Sequence, residues 1–464
     1  MQGLVTVLGL VFLASACASG PAAPERSDAA ATDAATPGPA APIVAHAAVP
    51  AGDLRAPEVA YAFCIYHARP DFDVAAEIRA LALPGVTLVA DLDALRAATG
   101  PAALIVSSPT SELPPPPTES LRFLSLGLDD ADAVALGRAT VATSFLMRSP
   151  RADAMRLYAW ALAVAGATAE AVGGLVWDDA VRLVLSREAW LVRLRDLRAG
   201  GLDATLHVNV HVYQDGRMLR MITLGMEKFG LPDLMVSQVP KSATKMPWLL
   251  NAVAQTLLEA PRIARSGALE LSLDRIANRS FRATIDPMTA EGSARAATLA
   301  VAWGEHDEGD ADNRLVEVVW PGSPGALQER EYATLKQVFG ASEQVVGAVH
   351  DDPALAAASA RAKIEVRAIA PRFELGPPEG ESLSVKAPFT TSDGDSEWMW
   401  VEVLTWSGDD IAGILRNEPL AVPGLHAGAR VTVAADKVFD YLHVRADGSH
   451  AGGETDAILE RRGD

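Results

Sequence analysis

The sequence predicts an α+β chain of several domains, with mixed and antiparallel sheets, packed helices and a small β-rich module near the C-terminal end. Three observations lead there. Strand-like runs come mostly in hairpins and helices do not alternate strictly with them, unlike the repeating units of a doubly wound parallel sheet. A chain of 464 residues exceeds one ordinary core. At about 100–200 residues per domain it holds roughly two to four units. Hydrophobic residues make up 49% of the chain and charged residues 21%. That is enough apolar surface to offset chain entropy, so the chain as a whole is not disordered.

The N-terminal stretch from Leu4 to Ala16 is apolar and ends in Leu13-Ala14-Ser15-Ala16-Cys17. It is too short for a bilayer span of about 20 residues but has the length of a signal-peptide core. Small residues ahead of a cysteine resemble the lipobox of bacterial lipoproteins, which implies a signal peptide over 1–17 and a lipid attached at Cys17. Two positions depart from that pattern: no Lys or Arg precedes the apolar core, and Ala14 stands where Leu is commoner. A plain secretory signal cut near Ala16 or Ala18 is the alternative. Residues 18–54 are rich in Ala and Pro, as in Thr36-Pro37-Gly38-Pro39-Ala40-Ala41-Pro42, and carry few large side chains. They are expected to form a disordered tether that holds the body off a membrane.

The body is expected as an α+β domain over 55–263, a second α+β domain over 264–375, a β-rich domain over 379–456 and a disordered tail over 457–464. In the first, Glu58–Tyr66 reads as a strand. Phe72–Leu83 reads as a helix with Val74, Ile78 and Leu81 on one face, and Val86–Ala90 as another strand. Pro114-Pro115-Pro116-Pro117 is a stiff polyproline turn or spacer. Next come strand Ser120–Leu126, helix Asp130–Gly137 and strand Thr140–Met147. A helix from Arg151 to Ala169 presents Met155, Tyr158, Leu162 and Ala165 as an apolar face. Gly173–Asp179, with Trp177-Asp178-Asp179 at its end, and Val181–Leu185 make a short hairpin, and Ser186 caps a helix carrying Trp190 and Leu194. Leu206–Tyr213 and Met218–Leu224 are joined through Asp215-Gly216, placing Val212 opposite Leu219 and Val210 opposite Met221 on a buried face. Trp248–Leu258 closes this domain as an amphipathic helix. The second domain holds strands Leu269–Leu273, Phe281–Ile285, Thr298–Trp303 and Leu315–Trp320, then helices Gly325–Phe339 and Ala354–Ile369.

In the last domain, Trp400-Val401-Glu402-Val403 alternates, Gly408-Asp409-Asp410 turns, and Ile411–Leu415 returns as the partner strand. Asn417-Glu418-Pro419 ends it, because Pro419 has no N–H for the ladder. Ordered along this stretch are Ser384-Val385-Lys386-Ala387-Pro388-Phe389, Trp406, Gly413-Ile414-Leu415-Arg416, Leu425-His426-Ala427-Gly428, Asp440-Tyr441 and Gly452-Gly453-Glu454-Thr455. Together they resemble the YegJ-like family of domains of unknown function, although Trp398 stands where many members have His. The resemblance implies no reaction. Upstream, Gly173-Gly174-Leu175-Val176-Trp177-Asp178 and the run from Thr223 to Asp233 look like a second uncharacterised bacterial family. Trp400, Asn417, Glu418 and Asp440 form a candidate ligand-binding edge; the alternative makes the Trp core and the Asn-Glu-Pro a turn.

The chain carries 59 carboxylates against 40 Lys and Arg, a formal charge of -19. With no basic cluster to offset that balance, nucleic acid is not an expected partner. Processing at Cys17 leaves Cys64 as the one body cysteine, so neither a disulfide framework nor a Cys-based zinc site is available. Cys64 lies in an apolar strand and is expected in the core. Its side chain starts on the face opposite that of His67, and Asp71 is expected to cap the next helix, so no Cys-His-Asp triad is predicted. His207 and His211, four apart in a strand, stand about 13 Å apart, too far to share a metal, and Arg220 is expected across from His211. The acidic run Glu305–Asn313 lacks EF-hand spacing and reads as a solvated loop. Nucleophile-elbow, phosphate-loop, His-Glu-x-x-His and dinucleotide fingerprints are missing, so no catalytic, cofactor or metal residue is assigned. The reading that follows is a non-enzymatic lipoprotein of the bacterial envelope, anchored through lipid and facing the periplasm or exterior. Its domains would bind a protein or another envelope component. The alternatives are a hydrolase or transferase using carboxylates and His in an inter-domain cleft, and an immunity-type protein that neutralises a toxin.

Overall fold

The computed structural model describes residues 47–464 except 82–84, 216–217, 242, 291, 324–325, 341–352, 379, 392–395, 417–418, 420–421, 426–427, 448, 456–457 and 459–464. Cys17 and most of the tail 457–464 therefore lie outside the described residues. The tether reading ends earlier than expected. Ala48 bridges to Ala302, Val49 is fully buried, and β1 (Gly52–Asp53) pairs with a short strand at 262–263. Val49 and Leu54 anchor this end of the segment by burying apolar surface in the core.

The first sheet contains β2 (Glu58–His67), β3 (Thr87–Val89), β4 (Ala102–Pro109), β5 (Ser125–Leu126), β6 (Val141–Pro150), β7 (Leu175–Asp178) and β8 (Leu183–Leu185). Their spatial order is β3-β4-β6-β2-β7-β8-β5. Strand β2 runs antiparallel between β6 and β7, and its faces are both covered, which is why it reads as a nearly continuous apolar run. On one face, Tyr61, Phe63 and Ile65 pack on the helix Ala154–Val172, whose Tyr158, Leu162 and Ala165 are fully buried. Met155 lies off that face and is exposed. On the other face, Cys64 and Tyr66 are covered by Leu113, Leu121, Leu124 and Leu136 from the segment between β4 and β6. The expected strand Ser120–Leu126 is mostly a single helical turn, Leu121–Leu124, and only Ser125–Leu126 pairs. Its leucines lie on the sheet instead of joining it. Helix Leu92–Ala97 and strand β4 had no counterpart in the sequence reading: both are short or Ala-rich and lack a strong period.

The second sheet contains β9 (Asn209–Asp215), β10 (Met218–Leu224), β11 (Asp233–Val239), β13 (Ala268–Ser272), β14 (Ala296–Trp303) and β15 (Leu315–Val319); β12 (Arg262–Ile263) is the partner of β1. The order β13-β14-β15-β11-β10-β9 draws strands from both sides of residue 263, where the sequence reading divides two domains. One hydrophobic core runs from Val49 to Phe339 and beyond. The β9–β10 hairpin closes one residue later than expected, with Asp215 opposite Met218. Every partner therefore moves by two: Val212 faces Met221, Val210 faces Thr223, and Tyr213, not His211, faces Arg220. Strand β9 is the sheet edge, which leaves Val212 exposed. The expected strand Phe281–Ile285 is a helix, Arg279–Ile285. Asn278 caps it by accepting from the Phe281 amide at 3.0 Å, and Phe281 and Ile285 are buried four apart on its inner face.

The C-terminal sheet is antiparallel: β16 (Ser382–Thr390), β17 (Ser396–Ser407), β18 (Asp410–Leu415), β19 (Arg430–Ala434), β20 (Asp440–Val444) and β21 (His450–Gly452), in the order β19-β18-β17-β16-β20-β21. The helix Pro353–Ile369 belongs to this module, since Ala362 and Val366 pack with Phe373, Leu383 and Tyr441. Among the described residues no helix is long and apolar enough to cross a membrane.

Candidate functional site

Two of the sequence motifs meet inside the body. Asp178, at the end of β7, and Lys228, in the turn after β10, are both fully buried, and Lys228 Nζ lies 3.0 Å from Asp178 Oδ2. The same oxygen accepts from Arg193 Nη1 at 2.9 Å, from the helix Arg187–Arg198. That helix starts at Ser186, whose hydroxyl accepts from the Ala189 amide at 3.1 Å. Beside this triad Tyr158 Oη lies 2.9 Å from His207 Nδ1, and His207 Nε2 lies 3.2 Å from Asp196 Oδ2. Burial pushes His207 down to about 4, although Asp196 opposes the shift. Burial works against the Asp196 carboxylate too, but hydrogen bonds from His207 and the Asp203 amide outweigh it and hold the group below the usual range. The neutral imidazole therefore carries its proton on Nε2, donates it to Asp196, and accepts from the Tyr158 hydroxyl at Nδ1. Lys228 also lies 5.4 Å from the Tyr158 ring centroid. His207 and Tyr158 are both fully buried. These Asp–His–Tyr contacts tie the helix Ala154–Val172 to the helix Arg187–Arg198 through His207. Sequence reasoning placed His207 in a strand; it ends the short helix Ala204–His207 instead.

An accessible site lies on the other face of the first sheet. Cys64 on β2 pairs directly with Ser144 on β6 and with Trp177 on β7, so three side chains form a row across the strands. Pro114 to Pro117 pass over this row, held where Tyr66 Oη donates to the Pro114 carbonyl at 3.1 Å. Beneath them is a cavity of about 210 Å³ whose lining includes Tyr66, Trp177 and Asp179. The Trp177 indole N–H donates to Asp179 Oδ1 at 3.0 Å. Burial raises Asp179 above the ordinary carboxyl value, against the Trp177 hydrogen bond and nearby Arg182. Burial also pushes the Cys64 thiol up to about 12, despite hydrogen bonds with Tyr66 and Ser144. A thiol so held stays protonated at neutral pH. His67 bonds Thr143 at 3.3 Å, and Asp73, not Asp71, caps the following helix by accepting from the Ala76 amide at 2.9 Å.

Of the candidate edge in the last domain, Asn417 and Glu418 lie outside the described residues. Trp400 and Asp440 come together around one lysine: Lys386 on β16 is opposite Trp400 on β17 and opposite Asp440 on β20. Lys386 Nζ stands 5.8 Å from the Trp400 ring centroid. Asp440 is fully buried and accepts from the Tyr441 amide and from both the amide and hydroxyl of Thr455. It fastens the C-terminal segment to the sheet and is not a surface group. Trp398 packs on Phe439 at 4.5 Å. This face also adjoins the body: Glu402 accepts from the Lys241 amide at 2.8 Å, and Lys241 Nζ donates to the Glu381 carbonyl. Glu381 bonds Arg372 and His443, the latter at 2.7 Å. Gly428 approaches the Gln328 backbone so closely that a side chain there would collide with it. Gln328 and Glu331 lie on the buried face of the helix Leu327–Phe339. Neither Glu331 carboxyl oxygen has a hydrogen-bond partner among the described residues, and burial raises this acid to about 9.

The acidic loop is tied by ion pairs. Asp310 receives Arg220 Nη1 and Nη2 at 2.9 and 2.7 Å and the Tyr213 hydroxyl at 2.9 Å. Among the described residues no group of three or more His, Cys, Asp or Glu is arranged to hold a metal.

Comparison with known proteins concerns the C-terminal module. Residues 352–462 match the family described as "Uncharacterized protein conserved in bacteria (DUF2314)". The module resembles YegJ. The relative is the "Uncharacterized protein YegJ" of Escherichia coli (strain K12), 26% identical over 81 residues, which span 18% of this chain and 52% of that protein. The chain thus aligns with about half the length of that curated relative. No solved structure matches. The family match over 352–462 takes in the helix Pro353–Ile369, consistent with its packing on the C-terminal sheet.

Proposed function

We propose that this chain is a ligand-binding lipoprotein of the bacterial envelope, anchored through Cys17, with its binding site beneath Pro114–Pro117. The observation that carries this reading is the cavity lined by Tyr66, Trp177 and Asp179 beside a thiol that burial keeps protonated. It offers a wall for an apolar ligand and one polar anchor, the usual composition of a small-molecule binding site. The His–carboxylate contacts that a hydrolase or transferase would use, His207–Asp196 and His443–Glu381, keep both imidazoles buried. The leader and Ala16-Cys17 support the anchor and an envelope location facing the periplasm or exterior. A protein partner in the envelope is an extension of the same reading.

Expression of the full chain and of Cys17→Ser in a bacterial host, followed by radiolabelled-palmitate incorporation and membrane fractionation, tests the anchor. Label and membrane retention in the parent, lost in the variant, are expected; release of both forms as soluble protein refutes it. A screen of hydrolase and transferase substrates tests the binding reading. An activity abolished by Asp196→Asn or His443→Gln would replace it with catalysis.

A further inference from the structure

We infer that the cavity beneath Pro114–Pro117 takes a small organic monocation, one ring bearing an amine, with the ring against Trp177 and the ammonium on Asp179. This rests on the reading of that cavity as the binding site and names its ligand class. Size comes first. About 210 Å³ exceeds the ~150 Å³ of an apolar cavity known to hold benzene. One six-membered ring with a short arm fits; a peptide or a lipid chain does not. Shape and polarity come next. The Cys64–Ser144–Trp177 row and the proline roof present apolar or weakly polar surface, while the indole face favours a cation near its ring.

Charge decides the class. Asp179 uses Oδ1 to accept from Trp177, and among the described residues no donor is bonded to its Oδ2. The charged groups that act on it are Arg182, which favours its ionised form, and Asp178, which opposes it; Cys64, Tyr66 and the buried Glu227 are the other titratable groups near it. A ligand that fills the cavity strips the remaining water from this carboxylate. An anion would add repulsion, and a neutral ligand would leave the carboxylate desolvated without compensation. An ammonium replaces the lost water with a charge-assisted hydrogen bond.

The test uses the full chain and three probes of one shape: 2-phenylethylamine, 2-phenylethanol and phenylacetate. Binding is measured by titration calorimetry and by shifts of the Trp177 indole N–H resonance, assigned with Trp177→Phe. The expected result is that the amine binds at least about tenfold tighter than the alcohol, with no binding of phenylacetate. Asp179→Asn, which keeps the acceptor for Trp177, should erase the preference and leave thermal stability intact. Equal binding of amine and alcohol, or a preference that survives Asp179→Asn, overturns the ligand class while the cavity remains a binding site. If none of the three moves the Trp177 resonance, both this inference and the cavity reading fall. Ser144→Leu, which fills the cavity, should weaken every probe; tight amine binding by that variant places the site elsewhere and overturns the inference.

Discussion

Replacing Glu331 by Gln should stabilise the folded chain at neutral pH and do nearly nothing for it in mild acid. The side chain is fully buried, and its carboxyl oxygens lack partners among the described residues. Its acid is raised from an ordinary 4.5 to about 9 by burial, with Arg330 opposing. The folded chain therefore keeps it protonated at pH 7, whereas the unfolded chain ionises it. Because the folded value lies above the unfolded one, stability falls as pH rises from the unfolded value, and the penalty stops growing only above the folded value. At pH 7 the gap is ~2.5 pH units, which at about 1.4 kcal/mol per unit penalises folding by on the order of 3 kcal/mol. At pH 5 the same penalty is below about 1 kcal/mol. The Gln amide abolishes the titration but buries donors without acceptors, at about 1 kcal/mol. The net expectation is a gain of about 2 kcal/mol at pH 7 and no gain, or a slight loss, at pH 5. Urea unfolding of both proteins at the two pH values, followed by tryptophan fluorescence, reads this directly. A midpoint shift of the same size at both pH values, or a loss at pH 7, would refute the claim that Glu331 is held neutral.

The buried triad predicts an asymmetry. Asp178→Asn removes the carboxylate that pairs with both Arg193 and Lys228 and should cost about 3–5 kcal/mol, whereas Lys228→Met leaves the Asp178–Arg193 pair and should cost much less; denaturant midpoints showing the reverse order would contradict the pairing. Gly166→Ala should lower the melting temperature, because the new methyl would sit 2.6 Å from the Trp190 indole nitrogen, which donates to the Leu162 carbonyl at 2.8 Å. Overpacking of this kind costs about 1–3 kcal/mol, and a neutral melt would show that the two helices separate easily.

The parts of this fold that were legible in the sequence are those set by local periodicity and local hydrogen bonds. Ser186 before Arg187 and Glu188 marked a helix start, and the Ile411–Leu415 return strand followed from its turn. Where the decision lies between distant segments, local pattern fails. The leucines at 121 and 124 look like a strand, yet they serve as a cover for Cys64 and Tyr66. Phe281 reads the same way in a strand or a helix until the Asn278 cap is noticed. Lys228 carries no mark of burial, since lysines are rarely interior. The cavity was half visible. Trp177-Asp178-Asp179 and the four prolines were each singled out, but only the strand order β6-β2-β7 brings Ser144, Cys64 and Trp177 into one row beneath the prolines. The candidate edge went the other way: Asp440 looked like a surface group and is consumed by Thr455.

The parallel pairing of β11 with β15 also governs how the chain is made. During synthesis β11 leaves the ribosome with Asp233, Leu234 and Met235 ready to pair with β15. Its neighbour follows roughly 75 residues later, which at ~5–20 residues per second is a delay of about 4–15 s. Throughout that interval one side of an apolar strand lacks its hydrogen-bonding neighbour, the state most prone to pairing with another copy. The yield of folded protein should therefore follow translation speed across residues 240–320 and the supply of chaperones that shield nascent strands, more than the stability of the finished molecule.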